Sequence, residues 1–310
     1  MRVLDIMDGF NEVQSGWEKG TSNYWVLAKN EDIDFLADVL HIDSDVLKKY
    51  DKKSSQINFF DNYMFLTLNT LEYSENEIIT KELNIFLMKD YIITLNPTPL
   101  NIINEIIKDI RNFKNCFVVK EKPEPCILLY YILDRLILKS YEIISKLEAK
   151  ADKIEISILK NPRHEQVDEL ISLRRQVYII RKYLNPLRYI GDSLLSNDNL
   201  VIEKENIHYF SSLNNKIEKL IASLESLVQD LALVREAFES EIANKTNELM
   251  KVFTIIATIF LPLNLMTSMQ GMNCKRMPFY DCENGYYFIL VIMILTAFIL
   301  ILLFKRKKWL

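Results

Sequence analysis

Glycine and histidine are scarce in this chain of 310 residues. Its six glycines are Gly9, Gly16, Gly20, Gly191, Gly271 and Gly285, and nowhere do they have the spacing of a loop that cradles phosphates. That excludes a P-loop and a dinucleotide-binding fingerprint. The three histidines, His41, His164 and His208, are scattered far apart, so a histidine-based zinc site is set aside and each is expected on a surface or in helix packing. Acidic pairs such as Asp168-Glu169 sit in a charged helical stretch without recognisable partners. The chain therefore reads as a non-enzyme without a cofactor. Basic charge is not in excess either: the formal net charge is −4, which excludes a basic nucleic-acid binder as the first reading.

What is present is unevenly distributed. Hydrophobic residues make up 49% and charged residues 26%, close to soluble averages, but the averages conceal a split. Residues 252–310 carry six basic and two acidic groups, whereas residues 1–251 hold 32 basic and 40 acidic ones, a net of −8. An acidic aqueous body joined to an apolar, basic-ended tail is the pattern of a membrane protein with a large soluble domain.

The tail contains two long uncharged runs. Residues 252–274 hold 23 without a charge, and residues 286–304 (YYFILVIMILTAFILILLF) hold 19. A spanning helix needs about 20 mostly apolar residues, so both qualify. A buried hairpin in a soluble core is the bland reading, but the second run has no polar face. The opening MRVLDIMDGFNE lacks an apolar stretch, so the body is expected to remain in the cytoplasm. Lys305-Arg306-Lys307-Lys308 follow the second run and are expected inside as well. Two spans with both termini cytoplasmic leave one outward loop, about 274–285, in a cell (plasma or inner) membrane. Cys116 and Cys126 then fall in the body as reduced thiols. Cys274 and Cys282 fall in the outward loop, where oxidation to a disulfide is permitted.

Upstream, residues 24–29, 57–60, 63–71, 83–89 and 91–95 are β-branched or aromatic runs punctuated by Asn, Asp and Ser. Residues 31–40 and 43–49 have helical spacing. An α+β domain with helices outside a mainly antiparallel sheet is expected over residues 1–122. Residues 101–113 predict an amphipathic helix, and 117–119 a further strand. Helices then follow over 126–160 and from 164 to about 189, with Pro186 near the end of the latter. A third begins near Glu203 and meets no Gly or Pro until Pro262. Its apolar positions Ile217, Leu220, Ile221, Leu224, Leu227, Val228, Leu231 and Val234 follow 3-4 spacing. It is expected to run unbroken into the first span, some 65 residues and roughly 100 Å. A helix of that length needs its seam packed on neighbours, which implies oligomerisation. The helical region and stalk occupy 123–250, and the membrane domain 251–310, with spans at about 251–270 and 286–304.

On the first span Asn247, Met250, Phe253, Ala257, Leu261, Asn264, Ser268 and Gly271 recur at steps of three or four and share one face. An intramembrane amide exposed to lipid is costly, so Asn264 should meet protein or water. The stripe alone fits a packing surface equally well, because small and polar residues also mediate helix contacts.

Asn247-Glu248, then Ile259-Phe260-Leu261-Pro262, Gly271-Met272-Asn273, Met277-Pro278, a final span and a Lys-Lys-Trp-Leu ending follow in order. This arrangement resembles the CorA magnesium channel family over residues 244–310. Upstream, Leu173-Arg174-Arg175 and Leu184-Asn185-Pro186-Leu187-Arg188 also look like its helical region. The resemblance implies a funnel-shaped homopentamer in the lipid bilayer, with a central pore lined by the first span. It implies passive Mg²⁺ influx, with Co²⁺ or Ni²⁺ as substitutes. Gly271 carbonyls, Met272 and Asn273 would form the outer filter. Asn264 would sit mid-pore where the family usually has Thr, and Asn247 near the cytoplasmic mouth. Met250, Phe253 and Leu261 would form the hydrophobic constriction. The resemblance also implies closure by intracellular Mg²⁺ as a regulatory ligand, yet Ser212 stands where the usual sensor is Asp. Gln270 replaces the usual Tyr. Two other readings are a zinc-type relative moving other divalent ions, and a membrane-anchored coiled-coil scaffold or sensor without a pore.

Overall fold

The computed structural model describes all residues except 15, 18, 19, 41–54, 97–99, 113, 115, 273–283, 308 and 310. The helical segment expected at 43–49 lies outside the described residues. The chain divides into two compact units: residues 1–157 with 163–235, and residues 158–162 with 236–310.

The first unit is built on a seven-stranded sheet: β1 (Arg2–Asp5), β2 (Asn11–Val13), β3 (Tyr24–Ala28), β4 (Gln56–Phe59), β5 (Met64–Ser74), β6 (Glu77–Leu87) and β7 (Tyr91–Leu95). Their spatial order is β2-β1-β3-β7-β6-β5-β4. Every pairing is antiparallel except β3 with β7, which run parallel with Trp25 opposite Ile92 and Val26 opposite Ile93. The central strands are buried on both faces, which their continuous apolar sequences require. Aromatic side chains pair directly across strands: Tyr24 stacks on Tyr91 at 5.6 Å and Phe65 on Phe86 at 4.4 Å. On the opposite face Trp25 is fully buried and its indole N–H donates to Thr94 Oγ1 at 3.1 Å, so its polar atom is satisfied. Glu75 and Asn76, both at positive φ, close the long β5–β6 hairpin.

The helices are α1 (Ile33–Leu40), α2 (Asn101–Arg111), α3 (Phe117–Glu121), α4 (Pro125–Lys160), α5 (His164–Ser196), α6 (Ile207–Gln270) and α7 (Gly285–Arg306). The strand expected at 117–119 is instead a short helix, with Phe117 exposed and Val119 buried. Three apolar residues without a ladder partner cannot satisfy their backbone as a strand. One helical turn does, and the Lys120 N–H donates to the Cys116 carbonyl at 3.2 Å. α5 runs past Tyr189 and through Pro186 to a left-handed Asn197 at φ 47°, whose side chain bridges to the backbone of Ile202.

α5 packs on β4 and β6, and Gln176 Nε2 donates to the Asn76 carbonyl at the hairpin tip at 2.9 Å. Asn199 Nδ2 reaches the carbonyls of Phe60 and Tyr63, both at 2.9 Å. α4, α5 and α6 bury matching stripes: Ile144 and Leu147, Val177 and Ile180, Leu220 and Leu224. Lys216 pairs with Asp134 at 2.6 Å, and Arg188 grips Glu218 through two bonds at 2.7 and 2.9 Å. Burial pulls the Lys216 ammonium down, but the bond and charge of Asp134 outweigh it and hold the group above its usual range. The seam expected to need other copies is thus covered within one chain; all its positions are buried except the half-buried Val228.

Candidate functional site

α6 and α7 are both long and apolar enough to cross a membrane. Each shows one covered face. On α6, Ile255 is buried and Ile259, Pro262, Leu263 and Met266 are half-buried. On α7 the half-buried positions are Ile289, Ile292, Met293, Thr296, Ala297, Leu300 and Phe304. Both sets follow helical spacing, as expected of two helices that shield each other along one seam. The threonine hydroxyls in the spans are internally satisfied: Thr254 donates to the Met250 carbonyl and Thr258 to the Thr254 carbonyl, each at 2.7 Å. Thr267 and Thr296 bond back to Asn264 and Ile292 in the same way. Such back-bonding leaves no threonine hydroxyl for lipid to solvate.

The stripe lies elsewhere. Asn247, Met250, Phe253, Ala257, Leu261, Asn264, Ser268 and Gly271 are all exposed, with Phe253 at 66% and Leu261 at 69%. At about 100° per residue, their mean direction falls roughly 180° from the covered face of α6. The first span is therefore two-sided: one face is apolar and partly covered, while the other mixes amides with bulky apolar side chains and is exposed among the described residues. An amide on a bare intramembrane face is costly unless protein or water covers it.

α6 ends at Gln270. The Gly271 N–H is shared between the carbonyls of Thr267 and Ser268 at 3.0 and 3.2 Å, and Met272 follows, exposed. A Cβ at Gly271 would meet only ordinary contacts, the nearest 3.5 Å away, so the chain's own fold does not demand glycine here. Asn273, Cys274 and Cys282 lie outside the described residues. No cluster of three or more His, Cys, Asp or Glu that could hold a bare metal ion occurs among the described residues. The polar groups along the stripe are neutral amides, a hydroxyl and peptide oxygens.

A feature the sequence did not suggest lies at the other end of α7. The Trp309 N–H donates to the Phe304 carbonyl at 3.0 Å and its indole stacks on the Phe304 ring at 5.9 Å. Trp309 thereby closes an open groove of about 640 Å³ against Glu241, Asn247, Glu248 and Lys251 of α6. The only sequence signal was an aromatic residue after a basic run, which fixes no direction. Ser212 is exposed on α6. The two body thiols, Cys116 and Cys126, are free and buried. Burial, reinforced by Glu124, pushes the Cys126 thiol up to about 12.

A mainly antiparallel α+β body, a very long helix and two C-terminal helices apolar enough to cross a membrane make up the architecture. A family model described as CorA-like Mg²⁺ transporter protein matches residues 21–306, and the chain belongs to that family. A cobalt/magnesium transport protein CorA of Thermotoga maritima is 30% identical over 257 residues, covering 82% of this chain and 72% of the relative. The complete structure of a CorA magnesium transporter from Methanocaldococcus jannaschii superposes with a TM-score of 0.85 at 19% identity, covering 100% of this chain and 98% of that one. The cytoplasmic domain of ZntB from Vibrio parahaemolyticus matches with a TM-score of 0.66 at 15% identity, over 79% of this chain and 98% of that one. The last two likenesses show the fold; they do not choose the metal.

Proposed function

We propose that this chain assembles as a funnel-shaped homopentamer whose bare α6 faces surround a central pore. Mg²⁺ enters the cell through that pore by passive influx, and Co²⁺ and Ni²⁺ follow as substitutes. Both termini lie in the cytoplasm. The observation that carries the reading is the two-sidedness of α6: its amide-bearing face is exposed and lies opposite its covered, apolar face. Five such faces around one axis would give the amides water and one another, and remove them from lipid.

Neutral ligands suit this ion. Mg²⁺ surrenders its waters reluctantly and keeps an octahedral shell. Gly271 carbonyls and Asn273 amides would hydrogen-bond that shell from outside, with Met272 between them, and would release it, since conduction needs sites the ion can leave. Asn264 would supply a second amide ring and Asn247 a third at the inner mouth. Between them, rings of Met250, Phe253 and Leu261 would close the path by excluding water. The driving force is the membrane potential, about 2.3 kcal/mol per charge at 100 mV and so roughly 4.6 kcal/mol for a divalent ion. No nucleotide site is needed. Intracellular Mg²⁺ would also regulate, through carboxylates other than the absent sensor at Ser212.

Purified protein in liposomes containing a Mg²⁺-sensitive dye tests this directly. With an inward-negative potential, wild type should admit Mg²⁺ and Asn273→Ala should abolish or de-select entry. Unchanged behaviour of Asn273→Ala would favour a poreless scaffold, and uptake of Zn²⁺ in preference to Mg²⁺ would favour the zinc-type relative.

A further inference from the structure

Residues 1–251 carry a net −8, and within them residues 156–164 differ in sign. They form the tip between α4 and α5, bounded by Glu155 and Glu165, and hold Lys160, Arg163 and His164 but no carboxylate. All three are exposed, and among the described residues neither Lys160 nor Arg163 forms an ion pair. Ile156 and Leu159, three residues apart near the end of α4, share one side of the helix and are exposed as well, whereas Ile158 is fully buried. Exposed apolar side chains beside unpaired cations are the composition of a membrane-surface contact.

Composition alone does not place the tip near lipid; its contacts do. Residues 158–162 belong to the compact unit of residues 236–310 rather than to that of the sheet. Within that unit, Lys245 Nζ on α6 donates to Asn161 Oδ1 at the tip. Lys245 precedes the charge-free run that begins at Val252 by seven residues, about 10 Å of helix. The groove closed by Trp309 spans Glu241 to Lys251 and so brackets the same level. Tryptophan collects at membrane–water interfaces. The hydrocarbon core is bordered on each side by about 5–7 Å of headgroups. With α6 crossing the bilayer, the tip lies just outside that layer, within reach of Lys and Arg side chains that extend their charged ends to it.

We infer that the α4–α5 tip docks on anionic lipid headgroups of the leaflet nearest the stalk, with Lys160 and Arg163 as its phosphate contacts and Leu159 at the boundary. This rests on the membrane crossing of α6 proposed above, and needs neither a pore nor a particular number of copies. An anionic leaflet repels an acidic body, and its potential decays within about 8–10 Å of the surface. The tip is held at about that distance, and its charge is opposite to that of the body. The Arg163 guanidinium can meet a phosphate through two parallel bonds, and Lys160 adds a mobile point charge. Docking gives the chain a second attachment to the bilayer besides its spans.

The test uses the full chain with its four native cysteines replaced and a fluorophore on His164→Cys. It is reconstituted in phosphatidylcholine vesicles with or without phosphatidylglycerol, and a lipid carrying a nitroxide on its headgroup serves as quencher. Quenching should be strong with phosphatidylglycerol. It should fall by roughly half or more without that lipid, in high salt, or on combining Lys160→Glu with Arg163→Glu. Lys160→Arg with Arg163→Lys should preserve it, which separates charge from a change in fold. Three results would each overturn the inference: no quenching in phosphatidylglycerol vesicles, quenching indifferent to salt and charge reversal, or blue-shifted emission without quenching, the sign that a second copy covers the tip. A fluorophore on Leu295→Cys, exposed on α7, reports on the crossing itself. Failure of an acyl-chain nitroxide lipid to quench it would sink the membrane-spanning reading instead.

Discussion

The sheet body and the paired spans solve the burial problem differently. In the body, Trp25, Tyr91, Phe65 and Phe86 are fully buried within one chain, and neighbouring strands bury side chains on both faces. In the spans, Ile255 is the one buried apolar side chain among the described residues of α6 beyond Glu236 and of α7. The body is complete as a single copy. The spans are not: lipid can cover the outer face of α7, but it cannot cover Asn264 at acceptable cost. A region that is self-sufficient can hold a fixed scaffold, whereas a region left unfinished is where other copies and water must enter.

That contrast can be broken most forcefully by comparing truncations on the two sides. Trp25→Ala removes a fully buried indole and should destabilise the protein by about 3–5 kcal/mol, read from denaturant unfolding followed by far-UV circular dichroism. Leu261→Ala, on the bare face, should cost less than about 0.5 kcal/mol in the same measurement while increasing Mg²⁺ leak into liposomes. Equal destabilisation by the two would erase the distinction.

Smaller effects sharpen it within the body. A Cβ at Gly191 on α5 would lie 2.1 Å from Asn214 Oδ1 on α6. Gly191→Ala should force Asn214 to swing out and give up its bond to Asp192, at a cost of about 1 kcal/mol. Adding Asn214→Ala should recover stability by relieving the clash. Cys126 gives the subtlest signal. Its folded value of about 12 lies above the unfolded 9.0. The stabilisation it reports is therefore complete below about pH 9 and is lost as pH rises from there toward 12. At pH 8 its alkylation should be on the order of a hundredfold slower in native protein than in urea, as read by mass spectrometry.

The spans and the long helix were legible because both rest on charge-free length and 3-4 spacing, signals that need no tertiary partner. The parallel β3–β7 pairing was not, since pairing partners leave no mark in either strand alone. The hairpin was read as two strands, 63–71 and 83–89, because the residues between them (EYSENEIITKE) are charged and solvent-facing, and the closing Glu75-Asn76 lacks the glycine that usually signals a turn. β1 and β2, of four and three residues, are too short to show alternation. Pro186 suggested a helix end, but α5 passes through it, held on both sides by packing of Leu184 and Ile190. In the candidate site, the shared face of Asn247 through Gly271 was readable from spacing, whereas which way it pointed depended on where α7 packed. The inward return of Trp309 depended on its stack with Phe304 and had no sequence counterpart.

The central claim is that the bare face of α6 lines water shared between copies, and cysteine accessibility in liposomes measures it most directly. With the four native cysteines replaced, Asn264→Cys and Ile255→Cys are each treated with a membrane-impermeant thiol reagent while Mg²⁺ influx is followed. Rapid labelling and block of influx at position 264, with neither at position 255, is the predicted result. Influx that persists with position 264 unlabelled, or equal labelling at both positions, would contradict it.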